Sequence, residues 1–194
     1  MAAEIRIVEE AKKPLSMHPK KFAMWLFIVS VGMLFAAWTS AYIVKRGDPD
    51  WVELIIPQTF YANTIVIVLS SITLFWATIA VRKNNITSGK VAITLTTLLG
   101  LGFLIGQVAS YQEMISLGQH LTGGSASHSF VYVIAGAHGL HLVGGVIYLL
   151  ILMVSVFKGK VHSKSMTMME LCATYWHFLD VLWLYLFVFL ILNR

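Results

Sequence analysis

Charge is scarce in this chain, and cysteine scarcer. Asp, Glu, Lys and Arg together make up 12% of the 194 residues, about half the share usual in a soluble domain. A water-soluble fold could not hide so apolar a chain at this length. The single cysteine, Cys172, excludes an internal disulfide and any multi-cysteine metal site. It reads as a small apolar residue near a helix end. No Ser-His-Asp arrangement, phosphate loop or Cys-His zinc spacing occurs in a polar segment, and those segments are too short for a catalytic domain. Residues 1–21 are polar and lack the short apolar core of a secretory signal. No linker, low-complexity tract or internal repeat divides the chain, which reads as a cytoplasmic tail, 1–21, and one domain, 22–194.

What the chain has instead is apolar sequence, with 58% hydrophobic residues and a mean hydropathy of +0.77. Charge-free runs of about 20 residues predict transmembrane helices, and they fall at 22–44, 60–81, 91–112, 130–157 and 171–193. The first run, at 23 residues, is too long for a signal core and is expected to remain as a span. No alternation of the barrel-strand kind is present. The predicted fold class is therefore all-α, an integral membrane bundle of five transmembrane helices.

The net charge of +5 does not point to nucleic acid, because the basic residues cluster at the ends of the apolar runs. Eleven Lys and Arg fall on one side, in the tail and the 82–90 and 158–170 loops, against three on the other. That bias predicts a cytoplasmic N-terminus and a periplasmic C-terminus. Trp51 and Tyr61 fall where an outer aromatic belt would lie. Small residues predict close helix packing: Gly102 and Gly106 form a GxxxG pattern, and Gly136, Gly139, Gly144 and Gly145 crowd the fourth span.

The fifth run holds one formal charge, Asp180, about 14 Å in from Leu171 at 1.5 Å per residue. A carboxylate there is costly unless the protein receives it, so it marks a built interior site. His138 and His141 share a face of the fourth span, and His177 and Asp180 share one in the fifth. The two spans run antiparallel, and His141 and Asp180 fall at similar depth. Three readings stay open on the residues alone. His141 and His177 could ligate a b-type haem. The imidazoles and the carboxyl could move protons. Or they could hold the helix pair together, with His138 or His141 paired to Asp180. On the last reading Asp180→Asn is tolerated and Asp180→Leu loosens the packing that the carboxyl holds.

Smaller features have plainer readings. Ser70, Ser71 and Thr73 are expected to bond backbone carbonyls. Trp176 and Trp183, seven apart, are expected in packing or lipid contact. His120 and His128 are expected to be solvated in a loop, and Glu113 to end the third span at the surface.

His138-Gly-Leu-His141 with Gly144 and Gly145, followed by the run YWHFLDVLWL from Tyr175 to Leu184, resembles the signature of haem–copper oxidase subunit III. Ala41, Tyr42, Arg46 and Trp51, then Asn63, Thr64, Ser70 and Ser71, then Gln107 and Tyr111 agree with it. The likeness runs from about residue 20 to the end. Five spans correspond to the family's shorter bacterial form, and the cytochrome c branch fits better than the quinol branch.

The resemblance implies a subunit of a proton-pumping respiratory oxidase in the bacterial inner membrane, with no catalytic residue, cofactor or metal of its own. Haem and copper would belong to subunits I and II. This chain would pack on subunit I, within a complex that can include small subunits or a supercomplex, hold phospholipid, and support proton uptake. His138, His141, His177 and Asp180 would then be its interior polar cluster. Two departures follow from the same comparison: Ser110 and Val31 stand where the family often has glutamate. The alternatives are a quinol oxidase subunit III, the b-type cytochrome with His141 and His177 as ligands, and a stand-alone proton-coupled transporter, which would need repeated halves this chain lacks.

Overall fold

The computed structural model describes residues 18–122, 125–161 and 165–193. The predicted tail up to residue 17, with Arg6, Lys12 and Lys13, lies outside the described residues, as do Lys164 and Arg194. Five helices account for the apolar runs: α1 Pro19–Lys45, α2 Gln58–Arg82, α3 Ile86–Ser116, α4 Ala126–Phe157 and α5 Thr167–Leu192. All five are long and apolar enough to cross a membrane, so the all-α transmembrane bundle expected from hydropathy is the architecture found.

Each helix outruns its apolar core by several residues, because helix ends are set by capping and not by hydropathy. Asn85 accepts from the Ser88 amide at 3.2 Å and so starts α3 ahead of Val91. Ser125 Oγ accepts from the Ser127 amide and starts α4 ahead of Phe130. Helices α2, α3 and α4 end alike, on a left-handed residue: Asn84 at φ 60°, Gly118 at 77° and Gly159 at 68°. In each case the next amide reaches back to an exposed carbonyl, as Lys160 does to Ser155 at 3.0 Å.

Helices α2, α3, α4 and α5 close into a ring in which each packs on the next and α5 returns to α2. Helix α1 lies outside it, against α4 and α5, and makes no packing contact with α2 among the described residues. Burial follows this order: 56% of an apolar 18-residue stretch of α5 is buried, against 22% in α1. Helix α5 is thus the shared wall of the bundle.

In lipid no hydrophobic force drives helices together, so close fit and hydrogen bonds must do it. Trp176 supplies both. Its indole N–H donates to Ser70 Oγ on α2 at 3.0 Å. Its ring lies against Gly100 of α3 and Gly145 of α4, where an added Cβ would come within 2.6 Å and 3.2 Å of it. Trp183 repeats the device two turns on, donating to Thr64 Oγ1 at 3.1 Å and meeting Phe60 and Phe103 edge-on. Both tryptophans are packing residues, almost wholly buried.

The glycine expectations divide. A Cβ at Gly106 would overlap the Asn63 side chain, and Gly145 is pressed by Leu179 and Trp176, so both admit a neighbouring helix. Gly144 only reaches Tyr175 Oη at 4.0 Å. Gly102 meets nothing within 4 Å. It lies about 40° beyond a full turn from Gly106 and falls off the contact face. The expected role of Gly102 in packing is therefore corrected; on α3 that role belongs to Gly100 and Gly106.

Candidate functional site

The four residues singled out within the membrane do not form one cluster. His138 is fully buried, and neither ring nitrogen has a hydrogen-bond partner among the described residues. It sits in an aromatic cage, 5.2 Å from the Trp183 ring and 6.1 Å from Phe103, centroid to centroid, with Phe35 of α1 at 6.4 Å. His141, half-buried, turns Nδ1 onto the Ala137 carbonyl at 2.7 Å. A carbonyl only accepts, so Nδ1 carries the proton. The His141 carbonyl in turn accepts from Tyr175 Oη at 3.1 Å, which ties α4 to α5.

His177 and Asp180 lie on the α2 side of α5. His177 Nδ1 is 2.6 Å from Ser71 Oγ. Asp180 is 3% exposed, and its carboxyl oxygens have no hydrogen-bond partner among the described residues. The nearest basic group is His177 Nδ1 at 4.0 Å, on its own helix. The expected pairing of His138 or His141 with Asp180 is not made. His138 is enclosed by rings, His141 is folded back onto its own helix, and Asp180 looks toward α2.

This geometry limits the chemistry. Ser71, His177 and Asp180 supply the residue types of a hydrolytic triad, but the hydroxyl and the carboxyl both approach Nδ1. A relay needs them on opposite ring nitrogens, so that one accepts a proton while the other steadies the ring. As axial ligands, His141 and His177 are poorly placed. His141 packs on Phe35 of α1, at 5.8 Å, while His177 is bound to α2, which α1 does not touch. Among the described residues no group of three or more His, Cys, Asp or Glu could hold a metal ion.

Several polar residues do more than their sequence context indicates. Ser70 and Thr73 bond backbone carbonyls as expected, but Ser70 also receives Trp176, and Ser71 bonds His177 instead. Glu113 does not simply end α3. It accepts from the Gln58 and Thr59 amides at 3.0 and 3.3 Å and from Thr59 Oγ1 at 2.6 Å, and so caps α2. Helix α2 has Pro57 at its N-cap, with no side chain to do this itself. At the opposite end Glu170 joins three helices, with Lys21 at 2.6 Å and Arg82 at 3.7 Å. His128 was expected in solvent and is buried, at 8% exposure, because α4 begins ahead of it; His120 is exposed as expected. Where the resemblance places family glutamates, Ser110 donates to the Gly106 carbonyl at 2.9 Å and Val31 joins the apolar core.

Comparison with known proteins bears on what such a bundle is. The sequence model of the family described as cytochrome c oxidase subunit III matches residues 9–193. Cytochrome c oxidase subunit 3 of Thermostichus vulcanus is 30% identical over 91% of this chain and 90% of its own length. The cytochrome bo(3) ubiquinol oxidase subunit 3 of Buchnera aphidicola is 30% identical over 90% of this chain and 94% of its own. The probable cytochrome c oxidase subunit 3 of Rickettsia felis is 32% identical over 82% of this chain but only 56% of itself, so longer relatives exist. A five-helix membrane bundle matched by that model over residues 9–193 has its place settled: the chain belongs to the cytochrome c oxidase subunit III family of haem–copper oxidase subunits.

Proposed function

We propose that this chain serves a bacterial respiratory oxidase as a subunit without a redox centre, packed against subunit I within the cell's inner membrane. The observation that carries the reading is the family match across residues 9–193, joined to relatives named as oxidase subunits over nine-tenths of their own length. Its part in the assembly would be to stabilise subunit I, hold phospholipid and support proton uptake. Electrons would pass from cytochrome c to oxygen through haem and copper held by subunits I and II. The basic bias of the loops supports a cytoplasmic N-terminus. His138, His141, His177 and Asp180 would shape the interior and edge of the bundle and take no part in electron transfer.

Quinol as the electron donor is the second reading, favoured by the Buchnera aphidicola relative, whose identity equals that of the Thermostichus vulcanus one. One experiment tests the main reading. The tagged chain is purified in mild detergent, and a reduced-minus-oxidised spectrum is recorded before and after its partners are stripped away. Haem absorbance should arrive with large co-purifying subunits and leave with them. A haem spectrum retained by the isolated 21.6 kDa chain would overturn the reading. Reduction of the intact complex by ascorbate with cytochrome c, compared with reduction by a quinol, separates the two donors.

A further inference from the structure

Helices α1 and α2 both lean on α5 but not on each other, which leaves a groove between them with α5 as its floor. The floor is one stripe of α5, in which Val181 is 64% exposed, Tyr185 48% and Val188 51%. Ile72 and Phe75 of α2 form one wall, at 59% and 61% exposure. Two open recesses lie along this stripe. One, of about 360 Å³, is bounded by Ser71, Ile72, Phe75 and His177; the other, of about 450 Å³, runs from Val181 to Asn193. From His177 to Leu192 the floor is about 22 Å long, or four helical turns.

The groove is not uniformly apolar. The His177 side chain is 34% exposed and stands about 15 Å along α5 from Thr167, well inside the hydrocarbon layer. Its Nδ1 is taken by Ser71, while no hydrogen bond is made by Nε2 among the described residues. Acyl chains offer nothing to that nitrogen, and a polar group left unpaired in hydrocarbon is costly. No Lys or Arg lines either recess, and the basic groups at the Glu170 end of the same stripe, Lys21 and Arg82, are both paired with Glu170, so neither recess holds a phosphate headgroup by charge. A transmembrane helix meets both needs, with apolar flanks for the walls and one polar side chain at the depth of His177.

We propose that the groove between α1 and α2 is the docking surface for a transmembrane helix of a partner subunit, which places a hydrogen-bonding side chain opposite His177. The proposal rests on the oxidase-subunit reading and adds the face by which the chain joins its complex. Helix pairs in lipid gain about 0.6–2 kcal/mol from such a bond, so its loss should weaken retention about three- to thirtyfold.

Photo-crosslinking in the whole complex tests the surface without disturbing the fold. A benzophenone amino acid is introduced at Val181 or Ile72, and, as controls on other exposed faces, at Ile105 or Leu140, each 72% exposed. Crosslinks from Val181 and Ile72 to one large partner subunit, with none from Ile105 and Leu140, are expected. In parallel, His177→Leu should lower the fraction of this chain retained on partner pull-down, and His177→Gln, which keeps a hydrogen-bonding group, should restore it. Crosslinks from Ile105 or Leu140 alone would overturn the assigned face and leave the oxidase reading standing. Crosslinks from Val181 only to lipid, or to a second copy of this chain, would overturn the partner helix. Absence of any haem-bearing partner in the preparation would overturn the underlying reading itself.

Discussion

The ring of Trp176 occupies the space that a side chain at Gly100 would need. A Cβ at Gly100 would lie 2.6 Å from Trp176 Cη2, and that ring is held in turn by its bond to Ser70. An aromatic ring fixed at its far edge cannot step aside as a flexible side chain would. Gly100→Ala should therefore destabilise the bundle by about 1–3 kcal/mol, the usual cost of overpacking. Gly102→Ala, on open surface, should change stability by less than about 0.5 kcal/mol. Unfolding of both variants by SDS titration in mixed micelles checks the contrast. Equal losses would mean that α3 and α5 do not meet at Gly100.

The bond between Trp176 and Ser70 can be weighed separately from the packing. Trp176→Phe removes the indole N–H and much of the ring, whereas Ser70→Ala removes only the acceptor. Polar contacts between membrane helices couple by about 0.6 kcal/mol on average and up to about 1.7. A double-mutant cycle over the two positions should return a value in that range. A coupling near zero would show that Trp176 acts by shape alone.

Glu113 is predicted to act on a helix other than its own. It takes the first-turn amides of α2, at Gln58 and Thr59, where Pro57 provides no cap. Its negative charge also suits the positive end of the α2 dipole. Glu113→Ala should cost about 0.5–2 kcal/mol. It should also speed hydrogen exchange at the start of α2 while leaving the start of α5 unchanged. Glu113→Gln keeps an acceptor but not the charge, and should fall between the two.

Hydropathy located all five spans because a lipid-facing helix is marked along its whole length; α1 to α4 each contain the predicted run, and α5 covers all of its run but Asn193. It did not locate the ends, which depend on single capping groups such as Asn85 and on left-handed residues such as Gly159. Which polar groups meet was less legible still. A residue's depth can be counted from the helix start, but its direction depends on how the helix is rotated against its neighbours. His141 and Asp180 share a depth and nevertheless face different helices. Ser71, read as a backbone-bonding serine, became the partner of His177 for the same reason. Glycine spacing misled at Gly102, since GxxxG signals closeness only on the face that a partner occupies. The Trp176 pocket, built by Gly100 and Gly145 from separate helices, has no local pattern that could reveal it.

Asp180 brings these points to a test, because its substitution separates a lock within the chain from a group that serves the complex. Were it a lock, replacing it with leucine would release a partner and loosen the helices. Its oxygens instead have no hydrogen-bond partner among the described residues, and the nearest basic nitrogen stands 4.0 Å away on the same helix. Replacing a buried, unpaired polar group by an apolar one of similar shape is neutral or stabilising. Asp180→Leu should thus leave the thermal unfolding of the chain in detergent unchanged or raise it, and Asp180→Asn, which still buries polar atoms, should not exceed it. A fall in stability for Asp180→Leu would restore the carboxyl as a structural lock. If the chain stays stable but oxygen consumption or proton pumping by the assembled oxidase falls, the carboxyl is kept for the complex, at a site that only a neighbouring subunit completes.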